Sequence, residues 1–362
     1  MGFTCGLVGL PNAGKSTLFN TLTGAGAPVA PYPFTTLSPQ KGIVPVPDPR
    51  LDSLASLLRP AKVTPATLEV IDIAGLVEGA SRGEGLGNQF LGHIRPVDAI
   101  LHVVRCFRGT TVSHVRGTPD PVADAGVVAA ELLLADLELI QRQLDSAERL
   151  ARTHPKEATG TLVALRRARD ALSRGTALRT LELAPSEASK FRELGLLTLK
   201  PQLYIANGDW ADRSSQAMVQ TFEAWVEGQA PVIVIDAKLE GELALLPAAE
   251  QAEFLKEWGI EGSSIDRLVR AGYRLLGLLT FYTVVGEELR AWTLRAGATA
   301  REAASLIHSD MARGFIRAEV TSVEEFLQAG SGERSRERGL LRVEGRDYRV
   351  KDGEILTIRF AL

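Results

Sequence analysis

Residues Gly9-Leu10-Pro11-Asn12-Ala13-Gly14-Lys15-Ser16 satisfy the pattern G-x-x-x-x-G-K-[ST] at every fixed position. The chemistry of a polyphosphate explains that spacing. Consecutive backbone N–H groups must turn inward around a phosphate, which needs glycine wherever a side chain would obstruct. Lys15 then reaches the β and γ oxygens, and the Ser16 hydroxyl is placed to coordinate Mg²⁺. A helix opening at this point adds the positive end of its dipole. The expected nucleotide-binding set here is Asn12, Ala13, Gly14, Lys15, Ser16 and Thr17, with Lys15 the catalytic cation.

A second element is Asp72-Ile73-Ala74-Gly75, directly after the apolar run 68–71. An acid that ends a parallel strand beside a phosphate loop holds Mg²⁺, and the glycine lets a backbone N–H approach the γ-phosphate. Between the two lies Tyr32-Pro33-Phe34-Thr35-Thr36, in a proline-rich segment. A hydroxyl there can close the metal shell when a γ-phosphate is present, ordering the loop. The expected metal ligands are Ser16, Thr36 and Asp72, and Gly75 joins the catalytic set. The glycine-rich stretch 79–87 suits a mobile loop.

These residues need a scaffold. Residues 3–8 form a short apolar run that opens into the phosphate loop, and further β-like runs fall at 42–46, 68–73, 99–106, 202–206 and 231–235. Helix-like segments at 51–58, 87–94, 216–226 and 248–258 separate most of them. Such alternation indicates a mostly parallel sheet covered on both faces. From 124 to 179 there is no strand signal. Leu133, Leu137, Ile140 and Leu144 make an apolar seam that resumes at Leu162, Leu165 and Leu172 after His154-Pro155-Lys156. The pattern reads as an antiparallel helical hairpin. Nine basic and four acidic residues lie between Gln141 and Thr180, so the arm is basic: either a solvated face or a surface for rRNA phosphates. Beyond a helix at 265–276, β runs at 281–285, 289–294, 340–343, 348–350 and 355–360 surround a helix at 300–308. Thr299 and Glu302 there have the spacing of a capping box. Its Trp and Phe residues read as core more readily than as a base-stacking platform. The expected division is 1–123 with 200–277, an arm over 124–199, and a module over 278–362.

The chain has 362 residues, 45% hydrophobic and 23% charged, with net charge −3. These values describe a globular chain with no global attraction for nucleic acid. Cys5 and Cys106 sit in apolar runs and read as buried hydrophobes. His93, His102, His114, His154 and His308 show no metal-ligand spacing, so zinc is not expected. No apolar stretch approaches the roughly 18 residues a membrane span needs, and the start lacks a signal-peptide pattern. A cytoplasmic monomer away from membranes is expected.

The three signatures resemble those of the Obg superfamily of GTPases, with 32–36 as switch I and 72–80 as switch II. The closer likeness is to the YchF, or Obg-like ATPase, subfamily, through residues 44–51, Ala291-Trp292-Thr293, 314–320 and 345–353. The likeness covers nearly the whole chain. It implies an α/β P-loop NTPase domain with an inserted helical hairpin and a C-terminal TGS, β-grasp-like module. It also implies a ribosome-associated nucleoside triphosphatase in translation or stress control, with ATP preferred and GTP an alternative. Leu76 stands where Ras-like enzymes carry a water-orienting Gln. Asn12 matches an Asn that similar enzymes use to bind K⁺, making K⁺ a second candidate cofactor beside Mg²⁺ and Asn12 a catalytic candidate. His114 is implied as a residue positioning the attacking water, against the alternative of a surface loop histidine.

The base-reading motif departs from the pattern. Asn207 matches its first residue, but Gly208 replaces Lys, Trp210 stands at the carboxylate position, and Asp209 is one place early. The later Ser-Ala-Lys motif is Asp236-Ala237-Lys238. Asn207 and Gly208 are the expected base contacts, and ATP is expected to bind at least as tightly as GTP. Two other classes compete with a hydrolysing switch: a nucleotide-sensing adaptor, which the absent Gln favours, and a small-molecule kinase, which Asp-x-x-Gly and Thr36 oppose.

Overall fold

The computed structural model describes residues 3–24, 39–75, 86–109, 114–257 and 262–361. The chain divides into two compact units. One comprises Phe3–Gly42 with Glu69–Leu268, the other Ile43–Leu68 with Val269–Leu362.

In the first unit, β1 (Thr4–Val8), β4 (Thr67–Asp72), β5 (Ala99–Cys106), β6 (Gln202–Gly208) and β7 (Val232–Ile235) form a sheet that begins with β2 (Gln40–Pro45). The order is β2-β4-β1-β5-β6-β7, and the pairs β1/β4, β1/β5, β5/β6 and β6/β7 are parallel. Every residue of β5 and β6 is buried, which is why these strands read as apolar runs without alternation. Helices α1 (Lys15–Thr23), α3 (Leu86–Ile94), α7 (Arg213–Val226), α8 (Ala237–Leu243) and α9 (Ala248–Glu257) accompany the strands, and α10 (Ser264–Leu275) runs from this unit into the next. The loop expected over 79–87 ends earlier, since Leu86 already opens α3. Residues 79–85, with Tyr32, Thr36 and Leu76, lie outside the described residues.

The arm is α4 (Pro121–Thr153) and α5 (Pro155–Ser173), followed by α6 (Pro185–Glu193). Ile140, Leu144, Leu165 and Leu172 are its buried core, with Leu133, Leu137 and Leu162 packed against it. Its root is polar. Asp136, fully buried, accepts from the Leu197 and Thr198 N–H groups at 2.9 and 2.7 Å and from the Thr198 hydroxyl at 2.7 Å.

The second unit holds α2 (Pro49–Leu58), β3 (Lys62–Thr64), β8 (Leu278–Val285), β9 (Glu288–Arg295), α11 (Ala300–Ile307), α12 (Ser309–Arg313), β10 (Phe315–Ser322), α13 (Val323–Ala329), α14 (Gly332–Glu337), β11 (Arg342–Glu344) and β12 (Glu354–Phe360). Its sheet runs β11-β10-β12-β8-β9-β3. The Thr299–Glu302 capping box forms. Phe281 and Trp292 stack at 6.2 Å, Phe281 in the core and Trp292 packed against it. The run 348–350 is not a strand: the Val350 N–H bonds to the Ala298 carbonyl and the Ala300 N–H to that of Tyr348, so its backbone pairs with a loop. The segment 43–68 is held here by a polar knot. Asp48 caps α2 through the Arg50 N–H and accepts from the Tyr282 hydroxyl, while Arg50 bonds to Asp352 at 2.7 Å.

Candidate nucleotide site

Between β1 and α1 the chain makes the turn that the glycine spacing demands. Asn12 and Gly14 both take left-handed φ, 62° and 97°. Asparagine tolerates that conformation because its short amide bonds locally. At Gly14 a Cβ would stand 2.1 Å from Asn207 Nδ2, so no side chain fits. Lys15 is only 7% exposed, and its ammonium donates to the carbonyls of Gly9 and Leu10 at 3.1 and 2.9 Å. Burial lowers its pKa from 10.5 to about 8, opposed by the charge of Asp72. A buried cation whose hydrogen bonds go to carbonyl dipoles rather than to a carboxylate favours an anion at the loop.

Asp72 ends β4 in register with Leu7 of β1, which places it beside the phosphate loop. The Ser16 hydroxyl donates to Asp72 Oδ2 at 2.7 Å. Oδ1 is buried with no hydrogen-bond partner. Burial raises the Asp72 pKa, with Ser16 and Lys15 pulling it down. An unpaired buried carboxylate oxygen next to a hydroxyl is a hard-oxygen pair that fits Mg²⁺. At Gly75 a Cβ would lie 2.8 Å from the Pro11 nitrogen. The glycine thus lets the strand-end turn lie directly on the phosphate loop.

Asn207, at the end of β6, is a tie between loops. Its Nδ2 donates to the Ala13 carbonyl at 2.9 Å, and its Oδ1 accepts from the Ala237 N–H at 3.1 Å. Asp236 takes the serine position of the later motif and is committed twice. It caps α8 through the Leu239 N–H at 3.0 Å and accepts from the Trp210 N–H at 3.2 Å. Asp209 is exposed and turned back on the Ala211 N–H at 2.9 Å. Gly208 lies against α7, where a Cβ would meet the Ser215 hydroxyl at 3.0 Å.

His114 is not a surface histidine, because its side chain is 2% exposed and bonded to Asp124 at 2.7 Å. Arg105, 3% exposed, reaches the Asn12 carbonyl at 3.5 Å with its guanidinium 4.5 Å from the Phe107 ring. Sequence reasoning missed Arg105, Asp124 and Asp236 as site residues. The available signal was a charge inside the apolar run 99–106. The structure thus brings Asn12, Lys15, Ser16, Asp72, Gly75, Asn207 and His114 around one loop, while Thr36 is outside the described residues. Among the described residues no cluster of three or more His, Cys, Asp or Glu could hold a metal, and no helix is long and apolar enough to cross a membrane.

This fold and loop define a P-loop nucleotide-binding protein of the GTPase type, and residues 4–130 match the family model described as a 50S ribosome-binding GTPase. Residues 278–361 match the C-terminal domain model of YchF GTPases, whose description is "Protein of unknown function". The chain is 45% identical over 361 residues to a protein of Escherichia coli O157:H7 described as ribosome-binding ATPase YchF, covering 99% of each. It is 45% identical over 364 residues to the protein of that description in Bacillus subtilis, covering 99% of this chain and 100% of the other. The solved YchF GTPase of Schizosaccharomyces pombe superposes with a TM-score of 0.86 at 30% identity, covering 99% of this chain and 98% of that one. The chain belongs to the YchF family.

Proposed function

We propose that this chain is an Mg²⁺-dependent P-loop ATPase that docks on ribosomes in the cytoplasm as a monomer, its nucleotide state governing docking. The observation that carries the reading is the Lys15–Ser16–Asp72 cluster, with its buried cation and unpaired carboxylate oxygen. The names of the relatives supply the ATPase and ribosome assignments.

In this reading the backbone of Asn12 to Thr17 cradles the phosphates and Lys15 bonds the β/γ oxygens. Ser16, Asp72 and Thr36 hold Mg²⁺, which when bound offsets charge on the phosphates. The Gly75 N–H meets the γ-phosphate, Asn12 is a K⁺ ligand, and His114 orients the attacking water. Asn207 and Gly208 meet the base. Asp209 is turned onto Ala211 and Asp236 is occupied by the Leu239 and Trp210 N–H groups, which favours ATP over GTP. Residues 3–42, 69–123 and 200–268 act as the nucleotide domain and 124–199 as the rRNA-facing arm; the TGS-like module expected over 278–362 takes in 43–68 and 269–277 as well, since those residues belong to its compact unit. Competition titration of ATP against GTP, with turnover measured with and without ribosomes, tests the reading. ATP is expected to bind at least as tightly, with ribosomes raising turnover. A preference for GTP of tenfold, about 1.4 kcal/mol, would overturn the base assignment, and absence of co-sedimentation the docking.

A further inference from the structure

Charge is unevenly divided along this chain of net −3. Residues 43–68 and 269–362, which make the second unit, carry eighteen Lys and Arg against fifteen Asp and Glu. Part of the excess is gathered on one sheet face. Ala318 and Val320 of β10 belong to the core, so Arg317, Glu319 and Thr321 point to the opposite face. In register with them on β12 stand Arg359, Thr357 and Ile355. Thr321 and Ile355 are buried, whereas Arg317, Thr357 and Arg359 are exposed. The face is covered at one end and open at the other.

The open end is built around a carboxylate. Glu319, 7% exposed, meets the side chains of Arg317, Arg336 and Arg359, which are 51%, 59% and 48% exposed. Arg359 donates through Nε and Nη2 at 3.1 and 2.9 Å. Arg336 of α14 donates at 3.0 Å and Arg317 at 3.4 Å. A carboxylate has about four acceptor sites, so these bonds fill it, while three guanidinium groups offer about fifteen N–H donors. Arg317 and Arg359 also stand directly opposite each other across the strands, and like charges so placed weaken a sheet. One carboxylate cannot neutralise three guanidinium groups. An anion from outside accounts for the excess.

We propose that this arginine trio on the open face of β10 and β12 is an anion-binding surface that docks phosphates of ribosomal RNA. The inference rests on the reading that the chain docks on ribosomes. Half-exposed side chains on an open sheet suit an extended phosphodiester backbone better than a small free anion. Glu319 orders the guanidinium forks in advance, so less side-chain freedom is lost when a phosphate is taken. The chain then has two surfaces for RNA, this one and the arm.

The test uses the full chain with purified ribosomes and with protein-free ribosomal RNA, co-sedimented across a range of salt. The paired change Arg317→Gln with Arg336→Gln leaves Arg359 bidentate on Glu319, so the buried carboxylate keeps a partner. It is expected to weaken both interactions roughly threefold or more and to flatten the slope of log affinity against log salt by about 1.4, as for two lost phosphate contacts. Glu319→Gln, which removes a negative charge and keeps an acceptor, is expected to tighten RNA binding at low salt. Thermal unfolding shows that each variant is folded. Wild-type affinity and slope in the paired variant overturn the inference, as does weaker RNA binding by folded Glu319→Gln. A loss towards ribosomes alone, with protein-free RNA bound as before, also overturns it and assigns the arginines to an acidic protein. If the natural chain ignores ribosomes yet binds protein-free RNA through these arginines, the docking reading fails and the RNA surface stands; binding of neither overturns both.

Discussion

Lys15 has its ammonium on two loop carbonyls, and phosphate oxygens are stronger partners for a cation than carbonyls. Lys15→Ala is expected to weaken ATP binding by about 1.5–3 kcal/mol while leaving the unfolding midpoint unchanged or higher, since a desolvated charge is removed. Calorimetric titration beside thermal unfolding reads both, and wild-type affinity would remove Lys15 from the site. At Asn12, with Leu76 in the glutamine position, hydrolysis is expected to run faster in K⁺ than in Na⁺ at matched ionic strength; equal rates would exclude the K⁺ role. His102 presents a different balance. Burial drives its pKa from 6.5 down to about 3, with Arg179 and Lys15 adding repulsion. Between those values the unfolded chain binds a proton that the folded chain refuses, so stability falls as pH drops below 6.5. The loss from this residue is about 2 kcal/mol at pH 5. Urea unfolding at pH 7 and pH 5 should show that loss in the natural chain and a smaller one in His102→Asn.

The helical arm shows what a linear pattern can carry. Its seam residues Ile140, Leu144, Leu165 and Leu172 are buried as their spacing implies, because helical periodicity is local. The phosphate loop was legible for the same reason, its demands falling on eight consecutive residues. The contacts of Asn207 with Ala13 and Ala237, and of His114 with Asp124, join positions that only tertiary structure brings together. Strand β3 escaped notice because it has three residues and takes its partner, β9, from far along the chain. On the arm, Arg166 pairs with Glu148, Arg167 with Glu187 and Arg169 with Asp170, all with arginine side chains at least 40% exposed. Exposed pairs of this kind contribute little to stability. The triple change of Arg166, Arg167 and Arg169 to Ala should therefore barely move the unfolding midpoint while weakening ribosome co-sedimentation, most at low salt. Unchanged co-sedimentation at every salt concentration would leave the arm a solvated face.

Across the whole molecule, the C-terminal unit is built from two stretches of chain. Tyr282 is fully buried, and its hydroxyl is satisfied by Asp48, which also holds Arg50 and caps α2. Asp48→Ala would strip the cap and leave the buried Tyr282 hydroxyl without its acceptor, a cost of about 1–3 kcal/mol. Chemical denaturation followed at the tryptophans should register it, and an unchanged midpoint would show that the knot contributes nothing. The same arrangement has a consequence for synthesis. Ile43–Leu68 emerges early, yet the strands that complete its unit follow only after the 200 residues Glu69–Leu268. At about 5–20 residues per second, Leu51 and Leu54, both buried in the finished protein, wait about 10–40 s for most of their unit to be made. The nascent chain must shelter an apolar segment through the making of the arm, and conditions that slow translation there lengthen its exposure.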